Sequence, residues 1–287
     1  MAFSFHTRLL PSRARLRSLL LLLLLGLAAS VRASAQEGAT SDSLRHAQDS
    51  IVTEAWRALE LDSTKVDEYE KIIAIYKSRK RYAEELQLAN TMLAAVPAAA
   101  SSYLAVGDAQ LDNGAPELAI APLMKALIIE PAFVRVRTTL AEAYTMMRQF
   151  DSALFQLDTA IRLNPRFAQA HAQRATLLTQ LGRDSLAVES YRTTAELLPD
   201  SFTPWLKLAR ALEHVEHNTE ALETAEYAMS LNRDSPDALY LVGELNQKLG
   251  HREAAASAFE NFMLRFPTER RALEAERIAR ELRGKEQ

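Results

Sequence analysis

Proline recurs in this chain at a fixed interval of 34 residues. Pro97, Pro131, Pro165 and Pro199 follow one another at that spacing, Arg233 holds the next position and Pro267 the one after. Independently placed prolines have no reason to keep a common register, so the interval marks a structural unit built several times over. Proline lacks the backbone N–H that a helix needs and its ring clashes with the preceding turn, so each of these residues closes a helical stretch. Composition agrees: 48% of the residues are apolar but only 7% aromatic, with 8 glycines among 287 residues, and Ala, Leu, Glu and Arg, all strong helix formers, are abundant. The absence of cysteine excludes disulfides, thiol catalysis, cysteine zinc sites and a lipidated N-terminal cysteine.

With each block ending two residues after the proline register, the units are 66–99, 100–133, 134–167, 168–201, 202–235 and 236–269. Each holds two amphipathic stretches, and Asn113-Gly114, Leu181-Gly182 and Leu249-Gly250 place glycine where a first helix must stop. Position 8 of successive units reads Ile73, Gly107, Ala141, Ala175, Ala209 and Gly243; position 20 reads Glu85, Ala119, Ala153, Ala187, Ala221 and Ala255. Small side chains at both positions let paired helices approach closely. Tyr69, Tyr103, Trp205 and Leu239 at position 4 fill the gaps beside them, as does the apolar residue at position 24, for example Leu123, Leu157, Tyr191 and Phe259.

On these residues the chain resembles the tetratricopeptide repeat family over roughly residues 55–283. The resemblance implies an all-α fold, a right-handed α-solenoid (superhelix) of antiparallel helix pairs, with about six units and a capping helix in 270–287. It is carried most closely by "TTLAEAYTMMRQFDSALFQLDTAIRLNP" in the third unit. Residues 36–65 are expected to form a polar linker and an N-terminal helix, a partial repeat. There are departures: Ile73 and Glu85 stand where small residues belong, so the first pair should be spread apart; Arg174 occupies an apolar position; Arg233 replaces proline; and Pro122 should bend a second helix.

Residues 1–35 pose a separate question. Arg8, Arg13, Arg15 and Arg17 precede a short leucine-rich run from Leu19 to Ala29, and Ala33-Ser34-Ala35 supplies small residues before Gln36. That is the three-part pattern of a secretory signal peptide cleaved after Ala35, and the run is shorter than the ~20 residues of a membrane span. Its removal takes away five arginines and no acid, leaving 29 basic against 37 acidic residues and a net charge of −8. A chain so acidic is a poor partner for nucleic acid. The exported chain is expected in the periplasm or outside the cell.

Catalytic motifs are absent: there is no phosphate-binding glycine loop, nucleophile elbow or zinc-protease signature. "EHVEH" sets His214 and His217 at the end of a first helix, a spacing that two ligands of one metal could use, but no third ligand accompanies them and a solvated helix end is the simpler reading. No cofactor is expected. The family resemblance places the binding surface on the groove lined by first helices, at positions 2, 5, 9, 12 and 13. Here the acids include Asp67, Glu70, Asp108, Asp112, Glu142, Glu213, Asp237 and Glu244, against Lys77, Arg135, Arg210 and Lys248. Leu104, Leu111, Met146, Leu206 and Tyr240 are the apolar contact points. Such a groove suits a protein or peptide partner with basic residues, held by apolar anchors and guided by charge. The lysine and asparagine with which some family members hold a terminal carboxylate are not repeated. The expected function is a non-enzymatic scaffold or adaptor of the bacterial cell envelope. Within the same class the alternative is an assembly factor for pili, outer-membrane proteins or a secretion system. From another class it is a metal-binding protein or metal-dependent enzyme using His214 and His217.

Overall fold

The computed structural model describes residues 42–284. The expected signal segment with its cleavage site lies outside them, as do the rest of the polar stretch to residue 41 and residues 285–287. Fourteen α-helices and no strand occur among the described residues. Helix α1 (Asp42–Leu61) is the first among the described residues, and twelve helices follow as pairs: α2 (Val66–Ser78) and α3 (Tyr82–Ala95), α4 (Ala100–Asp112) and α5 (Pro116–Ile129), α6 (Val134–Met146) and α7 (Phe150–Leu163). The series continues with α8 (Ala168–Gln180) and α9 (Asp184–Leu197), α10 (Phe202–His214) and α11 (Asn218–Leu231), α12 (Pro236–Lys248) and α13 (Arg252–Arg265), and ends in α14 (Ala272–Gly284). Every first helix has 13 residues and every second helix 14, at the same offsets in each interval of 34.

The turn inside each pair is made the same way six times. Lys80, Gly114, Arg148, Gly182, Glu216 and Gly250, all at position 15, have left-handed backbone with φ between 56° and 78°. The next residue closes the turn by donating its N–H to the carbonyl five residues back, as in Arg81 to Tyr76 at 2.9 Å and Arg183 to Leu178 at 2.8 Å. This is the Schellman end, which satisfies carbonyls that the helix leaves free. Only three of the six turns use glycine, so the sequence signal shows half of them. Second helices end differently. The residue before the register position leaves the helical region, as the residue before a proline prefers, with φ −131° and ψ 65° at Val96 and an extended backbone at Asn164. Arg233 takes the proline's place where Ser235 caps the next helix, its Oγ accepting from the N–H of Ala238 at 3.2 Å, with Pro236 at the helix start.

Contacts divide the chain into two compact units, up to Ala143 and from Tyr144. In the first, successive helices pack on one another, and Trp56 and Leu59 of α1 join Tyr69, Ile72, Tyr76, Leu88 and Met92 in the core. The second unit has its own core, which includes Leu178, Tyr191, Leu212, Leu241, Phe259 and Phe262. Small residues sit where they were expected, with Ala119, Ala153, Ala187, Ala221 and Ala255 all fully buried. The closeness of these crossings is measurable: a Cβ on Gly107 would lie 2.5 Å from Leu123, and one on Gly243 would lie 2.9 Å from the Phe259 ring. Helix α14 buries Ala272, Ala275 and Ala279 against α13 and turns Arg277, Arg280 and Glu281 outward. Helix α5 runs on through Pro122. Arg174 is accommodated at its apolar position by Asp158 at 2.8 Å and Ser190 Oγ at 2.7 Å.

Candidate protein-binding surface

The side chains expected to form a binding surface fall on both units, and each unit treats its charges differently. In the first, Lys77 Nζ of α2 lies 2.5 Å from Asp112 Oδ2 of α4. Asp108, one turn earlier on α4, accepts from Thr139 Oγ1 at 2.9 Å and meets Arg135 at 3.4 Å, both on α6. Burial pushes the Asp108 carboxyl up, while the Thr139 hydroxyl and Arg135 pull it back. Desolvation also pushes Glu142 up, helped by the charges of Asp108 and Asp112. Burial works against the Lys77 ammonium, but Asp112, Asp108 and Glu85 outweigh it and hold its pKa above the ordinary value. Glu70 and Glu142 make no ion pair among the described residues. Two cations therefore face Glu70, Glu85, Asp108, Asp112 and Glu142, and the surface keeps an excess of carboxylate.

On the second unit the charges balance. Arg210 of α10 bridges Glu213 at 3.2 Å and Glu244 of α12 at 2.9 Å; Lys248 meets Glu213 at 2.9 Å, and Arg271 meets Asp237 at 2.5 Å. These partners stand 34 or 35 residues apart in sequence except for the first, so they join equivalent positions of successive repeats, with Arg271 just before α14. The acidity expected of the whole groove thus belongs mainly to the first unit.

The apolar residues divide as well. Met146 is 47% exposed, and Leu206 is half-buried beside a cavity of about 280 Å³ that Arg210 and His214 also line. Leu104, Leu111 and Tyr240, expected as contact points, are instead buried, at 3%, 7% and 5% exposure. The Tyr240 ring packs edge-on against Phe259 and Phe262, with centroids 5.3 and 5.1 Å away, and Arg271 lies over it. These three residues are core and offer a ligand almost no surface. Trp205 is half-buried rather than fully so, its ring against Tyr227 at 4.7 Å and its N–H donated to the Pro199 carbonyl at 2.8 Å.

Sequence reading marked Glu85 only as a departure from the small-residue rule. It is fully buried on α3, and neither carboxylate oxygen has a hydrogen-bond partner among the described residues. It lines a cavity of about 320 Å³ together with Glu70, Ile73, Lys77, Leu104, Asp108 and Arg135. Burial first, then the neighbouring Asp112, raises its pKa to about 7, against the opposing pull of Lys77. An acid at a position where five other units have alanine was the signal that could have drawn attention to it. His214 and His217 flank the left-handed turn at Glu216, and no group of three or more His, Cys, Asp or Glu among the described residues could hold a metal ion.

Residues 110–181 match the family model described as Tetratricopeptide repeat. Residues 110–181 are thus similar to tetratricopeptide repeats. Over 135 residues the chain is 29% identical to the tetratricopeptide repeat and J domain-containing co-chaperone DNJ1 of Cryptococcus neoformans, covering 41% of this chain and 26% of that protein. The chain thus spans about a quarter of the length of the curated relative it matches. Among solved structures, YrrB, described as a TPR protein with an unusual peptide-binding site, aligns with a TM-score of 0.57 at 18% identity over 66% of this chain and 97% of its own. The pilF structure from Pseudomonas aeruginosa gives 0.61 at 17% identity over 80% of this chain and 98% of its own. A repeat protein of Cytophaga hutchinsonii gives 0.59 at 16% over the same shares. Identities this low establish the fold, the α-solenoid class of stacked helix pairs. Proteins of this fold serve in general as protein-interaction scaffolds rather than enzymes. No helix among the described residues is long and apolar enough to cross a membrane.

Proposed function

We propose that the chain is a non-enzymatic scaffold or adaptor of the bacterial cell envelope, which holds a polypeptide with basic residues on the first-helix surface of its N-terminal unit. The observation that carries this reading is the carboxylate excess there, Glu70, Glu142 and Glu85 beyond those matched by Lys77 and Arg135, in contrast to a second unit whose charges satisfy one another. Uncompensated charge of one sign costs stability through self-repulsion and gains use when a complementary surface arrives. The co-chaperone name of the Cryptococcus relative and the peptide-binding site named for YrrB are compatible with a polypeptide ligand. Export rests on Arg8 to Arg17, the leucine run and Ala33-Ser34-Ala35. An assembly role for pili, outer-membrane proteins or a secretion system is a narrower form of the same reading. A metal-dependent function through His214 and His217 has no third ligand to support it.

The test has two arms. Cell fractionation with N-terminal sequencing should find the protein outside the cytoplasm and beginning at Gln36; an intact Met1 on most of it would overturn export. Photo-crosslinking in envelope extract from a probe placed at the exposed Ala74 should capture a polypeptide that the Glu70→Lys/Glu142→Lys variant carrying the same probe, still helical by circular dichroism, captures poorly. Equal capture by both would overturn the surface assignment.

A further inference from the structure

We propose that the cavity beside Glu85 is a seat for one lysine or arginine side chain of the partner polypeptide, which takes the place of Lys77 against the Glu85 and Asp112 carboxyls. The proposal rests on the reading of the N-terminal unit as the partner-binding surface and names the group that surface receives.

Position 20 is alanine in the other five units and fully buried there. Glu85 is just as buried, but it carries a carboxyl into the crossing and finds no donor for either oxygen. Leaving an acid in that state is costly, and nothing in the packing of α3 requires it. The space around it has the form that a basic side chain needs. Ile73 and Ala74 give apolar walls for a methylene stem, and Glu85 and Asp108 give negative charge along the wall.

Lys77 shows the kind of group this arrangement accepts. Its side chain is half exposed, and its ammonium already lies 2.5 Å from Asp112. The Lys77 end of the pair is open to solvent while Asp112 is mostly covered, so an incoming ammonium or guanidinium that replaces Lys77 restores the ion pair it breaks. The resident lysine then swings into solvent, and the newcomer brings with it the rest of the partner chain.

The exchange has a proton signature. The charged groups around Glu85 are Lys77 and, across the cavity, Glu70 from α2, Asp108 and Asp112 from α4, and Arg135 from α6; burial together with Asp112 raises the Glu85 pKa to about 7. Protonated, Glu85 can donate to Asp112. A cation entering the seat favours the ionised form and drives the proton off. Binding therefore releases protons near neutral pH, and affinity rises as pH climbs through 7 because the competing proton is lost.

N-acetyl-arginine amide and its neutral analogue N-acetyl-citrulline amide serve as probes in NMR titrations of the purified protein, followed at the backbone amides of α2, α3 and α4. We expect the arginine probe alone to bind, weakly, with affinity rising about fivefold to tenfold between pH 6 and pH 8. Glu85→Gln, which keeps size and burial, should weaken binding about fivefold at pH 8 and flatten the pH dependence. Lys77→Met, which keeps the stem and removes the resident cation, should strengthen it severalfold. Equal binding of the citrulline probe, or an unchanged pH profile in Glu85→Gln, would overturn the proposal. If Glu85→Gln binds as the parent does while Glu70→Lys/Glu142→Lys loses the captured polypeptide, the seat falls and the surface stands. If neither substitution matters, both fall.

Discussion

The six residues at position 15 share one backbone conformation and have nothing else in common. Gly182 has open space where a side chain would project, so replacing it with alanine tests conformation alone. Gly182→Ala should cost about 1 kcal/mol, since left-handed backbone disfavours a Cβ. Glu216→Gly should gain about 1 kcal/mol for the same reason, less some backbone entropy. Urea unfolding of the two variants checks both signs. Gly114, Gly182 and Gly250 made their turns legible in the sequence, whereas Lys80, Arg148 and Glu216 did not, because their conformation is imposed by the carbonyls around them. The same limit explains Tyr240. Its place in the unit suggested a groove contact, but Phe259 and Phe262 hold its ring inward, so truncating it should lower stability before it alters any off-rate. Glu85 stood out as an anomaly in the sequence, but its nearness to Lys77 and Asp112 arises only when α2, α3 and α4 pack.

At the scale of helices the sequence was most informative, because the proline register, the small positions and the glycine turns all express one geometry. A close crossing must be small on both sides, and that demand repeats as faithfully as the helix lengths do. Ala153, fully buried on α7, occupies such a crossing. Ala153→Leu should destabilise by about 1–3 kcal/mol through overpacking, whereas Ser185→Leu, at an exposed position on α9, should be almost silent. Equal losses of thermal stability would show that the register of the pairs is misplaced. Residues 36–65 were expected to hold an N-terminal helix, a partial repeat, and the structure gives one 20-residue helix whose Val52, Trp56 and Leu59 join the first unit's core. The extent of this helix is selected by its packing on α2, which no local signal announces.

For the whole molecule, net charge is a poor guide to where a partner is received. The ion pairs that neutralise the second unit join residues about one repeat apart, a relation invisible until successive first helices stack. Once they are discounted, the field that a partner meets is concentrated on the N-terminal unit. Its long-range part acts before contact and should therefore govern association more than dissociation. Glu70→Lys/Glu142→Lys should slow association of the captured polypeptide severalfold at low salt with little change in its off-rate, and the difference from the parent should shrink at physiological salt, where screening acts over about 8 Å. Glu253→Lys/Glu269→Lys on the second unit changes the net charge equally and touches only exposed positions, so it separates local field from total charge. If the second pair slows association as much as the first, net charge alone attracts the partner and the N-terminal surface has no special part. If the first pair keeps the parent's rate at low salt, the partner docks on the second helices or on α14, and the surface assignment fails while the repeat architecture stands.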